Sequence, residues 1–176
     1  MDYEKLIRKC ARNDRKAQHQ LFENYSDKLY IVAFRYLRNR YAAEEVIANS
    51  FLKIFRSLEN FRFEGESKFQ AWIRRIVVNE SLMEIRKAKQ MPVFADDFPE
   101  VVSSAETSDN IYFDELVLLI DHLPEGYRLV FRLFVIEGYN HAEIAKLLNI
   151  SEGTSKSQLH KARQQLQQML IKNEKL

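Results

Sequence analysis

The chain has 176 residues, 46% of them hydrophobic, enough to build the core of one ordinary domain or of two small ones. With only 4 Gly and 3 Pro against many Leu, Ile, Lys, Glu, Gln and Arg, the composition argues against a turn-rich β architecture and for an all-α fold. The net charge of +2 hides a division: residues 1 to 90 carry 19 basic and 12 acidic side chains, residues 91 to 126 carry 0 and 9, and residues 127 to 176 carry 8 and 4.

The opening MDYEKLIRKCARND mixes acids and bases, and runs such as YIVAF and LVLLI are far too short to span a bilayer, so a cytoplasmic protein is expected. The single Cys10 excludes an internal disulfide and a multi-thiolate metal site within one chain; it reads as a small buried hydrophobe near the end of a first helix. Apolar residues then recur at helical spacing in four segments, about 2 to 12, 14 to 38 (Ala17, Leu21, Tyr25, Leu29, Val32), 41 to 58 (Ile47, Phe51, Ile54, Leu58) and 67 to 89 (Phe69, Trp72, Ile73, Ile76). These predict a helical domain over residues 1 to 90.

Around its last helix runs ENFRFEGESKFQAWIRRIVVNESLMEIRK, in which Phe61, Phe63, Phe69 and Trp72 are interleaved with Arg62, Lys68, Arg74 and Arg75. Aromatic faces that stack on unpaired bases beside cations that hold the backbone are the physical recipe for single-stranded nucleic acid. Phe69, Trp72 and Ile76 at helical spacing also read as core. Phe61 and Phe63, on a loop beside Gly65, read either way, and Asn79 reads as a base contact or as a surface amide.

Residues 91 to 110, MPVFADDFPEVVSSAETSDN, break any helical period with Pro92, Pro99 and a Ser/Asp/Glu cluster, which predicts an extended acidic linker. Beyond it, helices are expected near 111 to 121 and from about 125 to 137, then a last pair separated by Asn149-Ile150-Ser151. The first of that pair turns Ile144, Ala145, Leu147 and Leu148 inward; Asn149 tolerates a left-handed backbone and Ser151 is a good N-cap. In the second, Leu159, Ala162, Leu166 and Met169 share one stripe, while Gly153, Thr154, Ser157, His160, Lys161 and Gln164 face the other way. Short helix, tight turn and longer helix make either a helix-turn-helix or a plain αα-hairpin. In a helix-turn-helix the small residues approach base edges in the major groove, and Lys156, Lys161 and Arg163 lie near phosphates.

Catalytic chemistry finds no foothold in the sequence. His19, His122, His141 and His160 show no paired metal spacing, there is no glycine-rich phosphate loop, and no Ser/His/Asp set or carboxylate pair sits in a motif, so neither enzyme activity nor a cofactor is expected.

Taken in order, AAEEVIANSFLKIFRSLENF, FQAWIRRIVVNESLMEIRK, the acidic segment, and LPEGYRLVFRLFVIEGYNHAEIAKLLNISEGTSKSQLHKARQQL resemble the extracytoplasmic-function group of bacterial RNA polymerase sigma factors over nearly the whole chain. The W-x-x-R-I-x-x-N and I-S-E-G-T-x-K-S signatures carry the likeness. It implies a region 2-like domain over 1 to 90 that grips core RNA polymerase and opens the minus-ten element, a linker over 91 to 110, and a region 4-like helix-turn-helix over 111 to 176 that reads the minus-thirty-five element. Carried onto this sequence, it assigns minus-ten contacts to Phe61, Arg62, Phe63, Lys68, Trp72, Arg74, Arg75 and Asn79, and minus-thirty-five contacts to Gly153, Thr154, Lys156, Ser157, His160, Lys161 and Arg163. Glu45, Ala48, Asn49 and Leu52 are placed at the polymerase, and an anti-sigma factor is implied as a further partner. A polymerase-independent regulator and a helical interaction protein are the other readings.

The sequence also departs from the family pattern. Asn149 stands at the corner where Gly is frequent, and Ser155 where an apolar residue is frequent. Ala48 and Asn49 replace a Gln and an acid on the face expected to meet polymerase, which predicts a weakened contact there.

Overall fold

Short polar side chains open the helices of the first part of the chain. Asp2 accepts from the Lys5 N–H at 3.0 Å, Asp14 from the N–H groups of Lys16 and Ala17, and Asn39 from that of Ala42, each satisfying a donor that a helix start leaves without an intrahelical partner. They begin α1 (Tyr3–Ala11), α2 (Arg15–Leu37) and α3 (Arg40–Ser57). Asn13 and Arg38 take φ of 60° and 54°, so the chain reverses between helices through single left-handed residues. A 3-10 turn at Leu58–Asn60 and an extended loop lead to α4 (Glu66–Gln90).

The computed structural model describes residues 2–90 and 111–173, and among these there is no strand. The linker predicted over 91 to 110 lies outside the described residues. The chain divides into two units, Met1–Ser103 and Ser104–Leu176. In the first, α2, α3 and α4 pack against one another and α1 lies on α2 and on the Leu58–Asn60 turn. The shared core holds Leu6, Ile7, Leu21, Leu29, Ile47, Phe51, Ile54, Phe69, Ile73, Val77 and Leu82. Cys10 is fully buried in it, and burial, reinforced by the nearby Asp14 carboxylate, pushes its thiol up from an ordinary 9.0 to about 11.

In the second unit α5 (Ile111–Asp121), α6 (Glu125–Phe131) and α8 (Glu152–Asn173) meet at Ile120, Leu123, Ala162 and Leu166, with Tyr127, Phe131 and Met169 packed against that cluster, and α7 (His141–Leu148) packs on α8. The helix expected from 125 to 137 is not uniform. After Phe131 it widens into a π-helical turn, Arg132–Ile136, closed by the Glu137 N–H donating to the Arg132 carbonyl at 3.0 Å, and Gly138 with φ of 73° ends it. Arg132 is 3% exposed and forms an ion pair with Asp121 at the end of α5. Arg128, one turn earlier, donates to the Leu123 carbonyl at 3.0 Å, so two guanidinium groups of α6 and its continuation close the C-terminal end of α5.

Two stability measurements follow from these burials. Because the Cys10 thiol stays protonated to about pH 11 in the native state but ionises near 9.0 once unfolded, its contribution is fully present below pH 9 and is lost as pH rises towards 11. Chemical denaturation between pH 8 and 11 should therefore show a falling midpoint that Cys10→Ala flattens, and a thiol reagent at pH 8 should label the native protein far more slowly than the unfolded one. Arg132→Ala should destabilise the second unit by about 2 to 3 kcal/mol, somewhat below the figure for a wholly buried pair because the abandoned Asp121 retains some access to water. Amide exchange should lose protection in α5 to α8 and keep it in α1 to α4.

Candidate nucleic-acid interface

The tight turn between α7 and α8 is built from residues whose backbone needs are visible in the sequence. Asn140 and Glu143 form a reciprocal capping box at the start of α7, with N–H to side-chain distances of 2.9 and 2.8 Å. Asn149 takes φ of 54° and ψ of 50°, the left-handed conformation, and Ile150 N–H donates back to the Ala145 carbonyl at 3.0 Å. Ser151 Oγ accepts from the Thr154 N–H at 2.9 Å and caps α8. The arrangement is short helix, left-handed corner, long helix, as expected of a helix-turn-helix.

On α8 the two stripes separate as expected. Leu159, Ala162 and Leu166 are buried and Met169 is half-buried, whereas Gly153, Ser157, His160, Lys161 and Gln164 are exposed. Thr154 is half-buried because its hydroxyl meets Ser151 Oγ at 2.8 Å. Ser157 donates its hydroxyl proton to the Thr154 carbonyl at 3.0 Å, which leaves its lone pairs to face outward as acceptors. Lys156 is exposed and 3.9 Å from Glu152, a separation and exposure at which the pair adds little and leaves the ammonium available to a stronger anion. Ser155, on the inward stripe where an apolar side chain is frequent in relatives, is fully buried and meets His141 Nδ1 at 2.9 Å.

In the first unit the aromatic residues around α4 are partly absorbed by packing. Phe69 is wholly buried, and Phe61 lies against Trp72 with ring centroids 4.4 Å apart and against Phe69 at 5.5 Å. Phe61, Phe63 and Trp72 are each half-buried, so Phe61 and Trp72 form the rim of an aromatic cluster that Phe69 anchors below. Ile76, expected in the core, is half-buried at a groove instead. Arg62, Lys68 and Arg75 are exposed and Arg74 is half-buried. Lys68 is held by Glu64 at 2.5 Å, and the Glu64 carboxyl is driven below its ordinary value by that contact; both groups are solvated, so the pair is weak.

An open groove between α3 and α4 is lined by Lys53, Arg56, Ser57, Ile76, Asn79 and Glu80. Lys53 bonds Glu80 across it at 2.6 Å. The Asn79 Oδ1 is buried and makes no hydrogen bond within the protein, and the groove beside it is flanked by cations. Lys53 and Arg56 escaped the sequence reading because they belong to a different helix from the motif they accompany.

Glu45, Ala48, Asn49 and Leu52 are all exposed on one side of α3, Leu52 to 55%, opposite the buried Ile47, Phe51 and Ile54. Tyr41, 79% exposed and four residues before Glu45, continues the same stripe and was not singled out from the sequence. Among the described residues no group of three His, Cys, Asp or Glu side chains gathers to hold a metal.

Comparison with known proteins resolves what this pair of modules is. The Sigma-70 region 2 model matches residues 21–91 and the Sigma-70, region 4 model matches residues 113–166, in that order on one chain. The ECF RNA polymerase sigma factor SigW of Bacillus subtilis is 29% identical over 97% of this chain and 97% of its own length. The chain belongs to the extracytoplasmic-function sigma factors. A second member, SigE of Mycolicibacterium smegmatis, is 30% identical over 88% of this chain, which spans 62% of that relative's length. Among solved structures, CnrH bound to the cytosolic domain of CnrY covers 94% of this chain and 95% of its own at a TM-score of 0.51. RpoE bound to the anti-sigma factor NepR from Bartonella quintana covers 87% and 96% at 0.55. Both are 20% identical and share the fold. As a sigma factor, the chain directs RNA polymerase in transcription initiation.

Proposed function

We propose that this sigma factor divides its work as its two units divide the chain. Residues 1 to 90 hold core RNA polymerase and the opened minus-ten element, residues 91 to 110 connect, and residues 111 to 176 read the minus-thirty-five element in duplex DNA. The observation that carries the reading is the occurrence of region 2 and region 4 on one chain, since a free-standing helix-turn-helix regulator has no use for region 2. Bond making belongs to the polymerase, and the sigma factor acts by binding, not catalysis. It works in the cytoplasm, where its partners are; no helix among the described residues is long and apolar enough to cross a membrane.

Chemistry supports the division of contacts. The exposed face of α8 offers small residues near its N-terminus, the Ser157 acceptor, the His160 ring and the Lys161 ammonium, which suits base edges and phosphates of a major groove. The groove beside Asn79 offers the Lys53 and Arg56 cations, and the same unit carries the half-buried Phe61 and Trp72 rings, which suits the backbone and bases of an unpaired strand. Glu45, Ala48, Asn49 and Leu52 face polymerase from α3. CnrH and RpoE were solved with CnrY and NepR, and a partner of the anti-sigma kind is proposed here too, covering surfaces that otherwise meet polymerase and DNA.

The two DNA contacts are separable by substitution. Ser157→Ala, His160→Ala or Lys161→Ala should weaken use of the upstream element, by about 1 to 3 kcal/mol where a bidentate base contact is lost and by less otherwise. Asn79→Ala should impair opening, read by permanganate reactivity of unpaired thymines, and leave upstream binding intact; it is a cleaner probe than Phe61→Ala, which also removes packing from Phe69 and Trp72. If Lys161→Ala instead abolished opening and spared duplex binding, the assignment would be reversed.

The polymerase contact has its own test. Leu52→Asp places a charge on an exposed position, so the chain should fold and lose affinity for core enzyme in a titration of labelled protein. Ala48→Gln with Asn49→Glu should tighten binding to a heterologous core enzyme, a charged hydrogen bond being worth about 1.5 to 3 kcal/mol. Unchanged affinity in folded Leu52→Asp would remove this face from the interface.

A further inference from the structure

One chain of contacts in the second unit runs from the buried Ser155 through His141 and Phe134, neither of them assigned to DNA, to Arg163, which is. Ser155 is fully buried in α8, and its hydroxyl, which needs a partner there, meets His141 Nδ1 at 2.9 Å. That bond fixes the orientation of the imidazole at the first position of α7. The imidazole in turn stacks on Phe134, with ring centroids 4.6 Å apart and planes at 24°. The Arg163 guanidinium, two turns beyond Ser155 on α8, lies 6.0 Å from the centroid of the same Phe134 ring, at the outer edge of cation–π range. The ladder therefore leaves α8 at Ser155, crosses α7 and the π-helical turn, and returns to α8 at Arg163.

Such a loop of contacts has a consequence for recognition. A long exposed Arg samples many rotamers, and ordering it on a phosphate costs conformational entropy. A planar guanidinium resting on an aromatic face has lost part of that freedom before DNA arrives, in a way that a lysine ammonium does not reproduce. Gly138, which ends the π-helical turn in a left-handed conformation, and the widened turn itself present Phe134 towards α7 instead of leaving it in the α-helical register of α6.

We propose that Phe134 and His141 are positioning residues for upstream DNA recognition: through Ser155 they fix the Phe134 ring, and the ring holds Arg163 ready for one backbone phosphate beside the groove that α8 enters. The proposal rests on the assignment of residues 111 to 176 to duplex DNA and adds residues that the assignment does not contain.

The test joins the salt dependence of promoter binding, which counts the phosphate that Arg163 neutralises, to a double-mutant cycle, because a residue that merely stabilises the unit changes affinity whether or not Arg163 is present. The probe is a duplex fragment enriched by the wild-type holoenzyme, full chain plus core polymerase, from a pool randomised upstream. R163A should lower the slope of log K against log salt by about 0.9, the value for one phosphate. F134L, which raises the cost of ordering Arg163 but leaves its charge, should lower affinity several-fold with a slope near wild type, and should cost little further affinity in the R163A background. H141F, which keeps a ring for Phe134 but strands the Ser155 hydroxyl, should lie between wild type and F134L, and H141F with S155A should return towards wild type. Arg163 is exposed, so R163A retains the fold, and an unchanged slope in that variant alone overturns the proposal. So does a loss of affinity in F134L that persists undiminished in the R163A background, since Phe134 would then act other than through Arg163. A wild-type holoenzyme that enriches no upstream sequence overturns the DNA assignment itself, and the two failures are thereby distinguished.

Discussion

The packing of Ala162 and Leu166 against Ile120 and Leu123 fixes which side of α8 is left over for a ligand. A helix repeats every 3.6 residues, so committing one stripe to the core commits the opposite stripe to solvent without further choice. The same constraint acts in α3, where Ile47, Phe51 and Ile54 go inward and Glu45, Ala48, Asn49 and Leu52 are consequently displayed together. In α4 it sends Phe69, Ile73 and Val77 inward and leaves Trp72, Ile76 and Asn79 at the edge. Each proposed surface is the complement of a core stripe. Its geometry is therefore as rigid as the core, which is what a recognition surface needs.

Polar groups inside the two units are spent on holding elements, not on chemistry. Arg132 and Arg128 reach the C-terminal end of α5, where helix carbonyls lack partners, and Ser81 returns its hydroxyl proton to the Val77 carbonyl within α4. Asn79 is the contrast. Its amide oxygen is buried beside a groove and makes no hydrogen bond within the protein. Ser155 differs, since its buried hydroxyl finds His141.

Helices and corner were legible because their signals are local. Asp14, Asn39, Asn140 and Ser151 are short polar caps, Asn149 accepts a left-handed backbone, and the apolar period marks the buried faces. What escaped depends on neighbours distant in sequence. The π-helical turn at Arg132–Ile136 has no composition of its own, since RLFVI reads as a continuing α-helix; its reason is the tertiary demand of Arg132 for Asp121 and the exit through Gly138. From the sequence Trp72 reads as core and Phe61 either way, and the fold makes the two a half-buried rim packed on Phe69. Lys53 and Arg56 were not visible beside Asn79 because α3 supplies them and α4 supplies the motif, whereas Tyr41 shares α3 with Glu45 and Leu52 but stands at its first turn, outside the quoted pattern.

The departures from family pattern on α3 alter the kind of contact this face can make. Ala48 offers a methyl group and Asn49 a neutral amide, which leaves Glu45 as the stripe's carboxylate between the exposed Tyr41 and Leu52. A surface so composed gains most of its free energy by removing apolar area from water, at about 25 cal/mol per Å², and little from ion pairs. Salt, which screens charges and leaves burial largely intact, then acts unequally on the sigma factor: strongly on the proposed DNA contacts through Lys161, Arg163 and the cations beside Asn79, weakly on the proposed polymerase contact. On the proposed assignment, loading onto polymerase and capture of a promoter come under separate physical control, the first set by shape and apolar area, the second by ionic conditions and sequence. A partner that covered the apolar stripe would stop the sequence of events at its first step, before any charge on the molecule had met DNA.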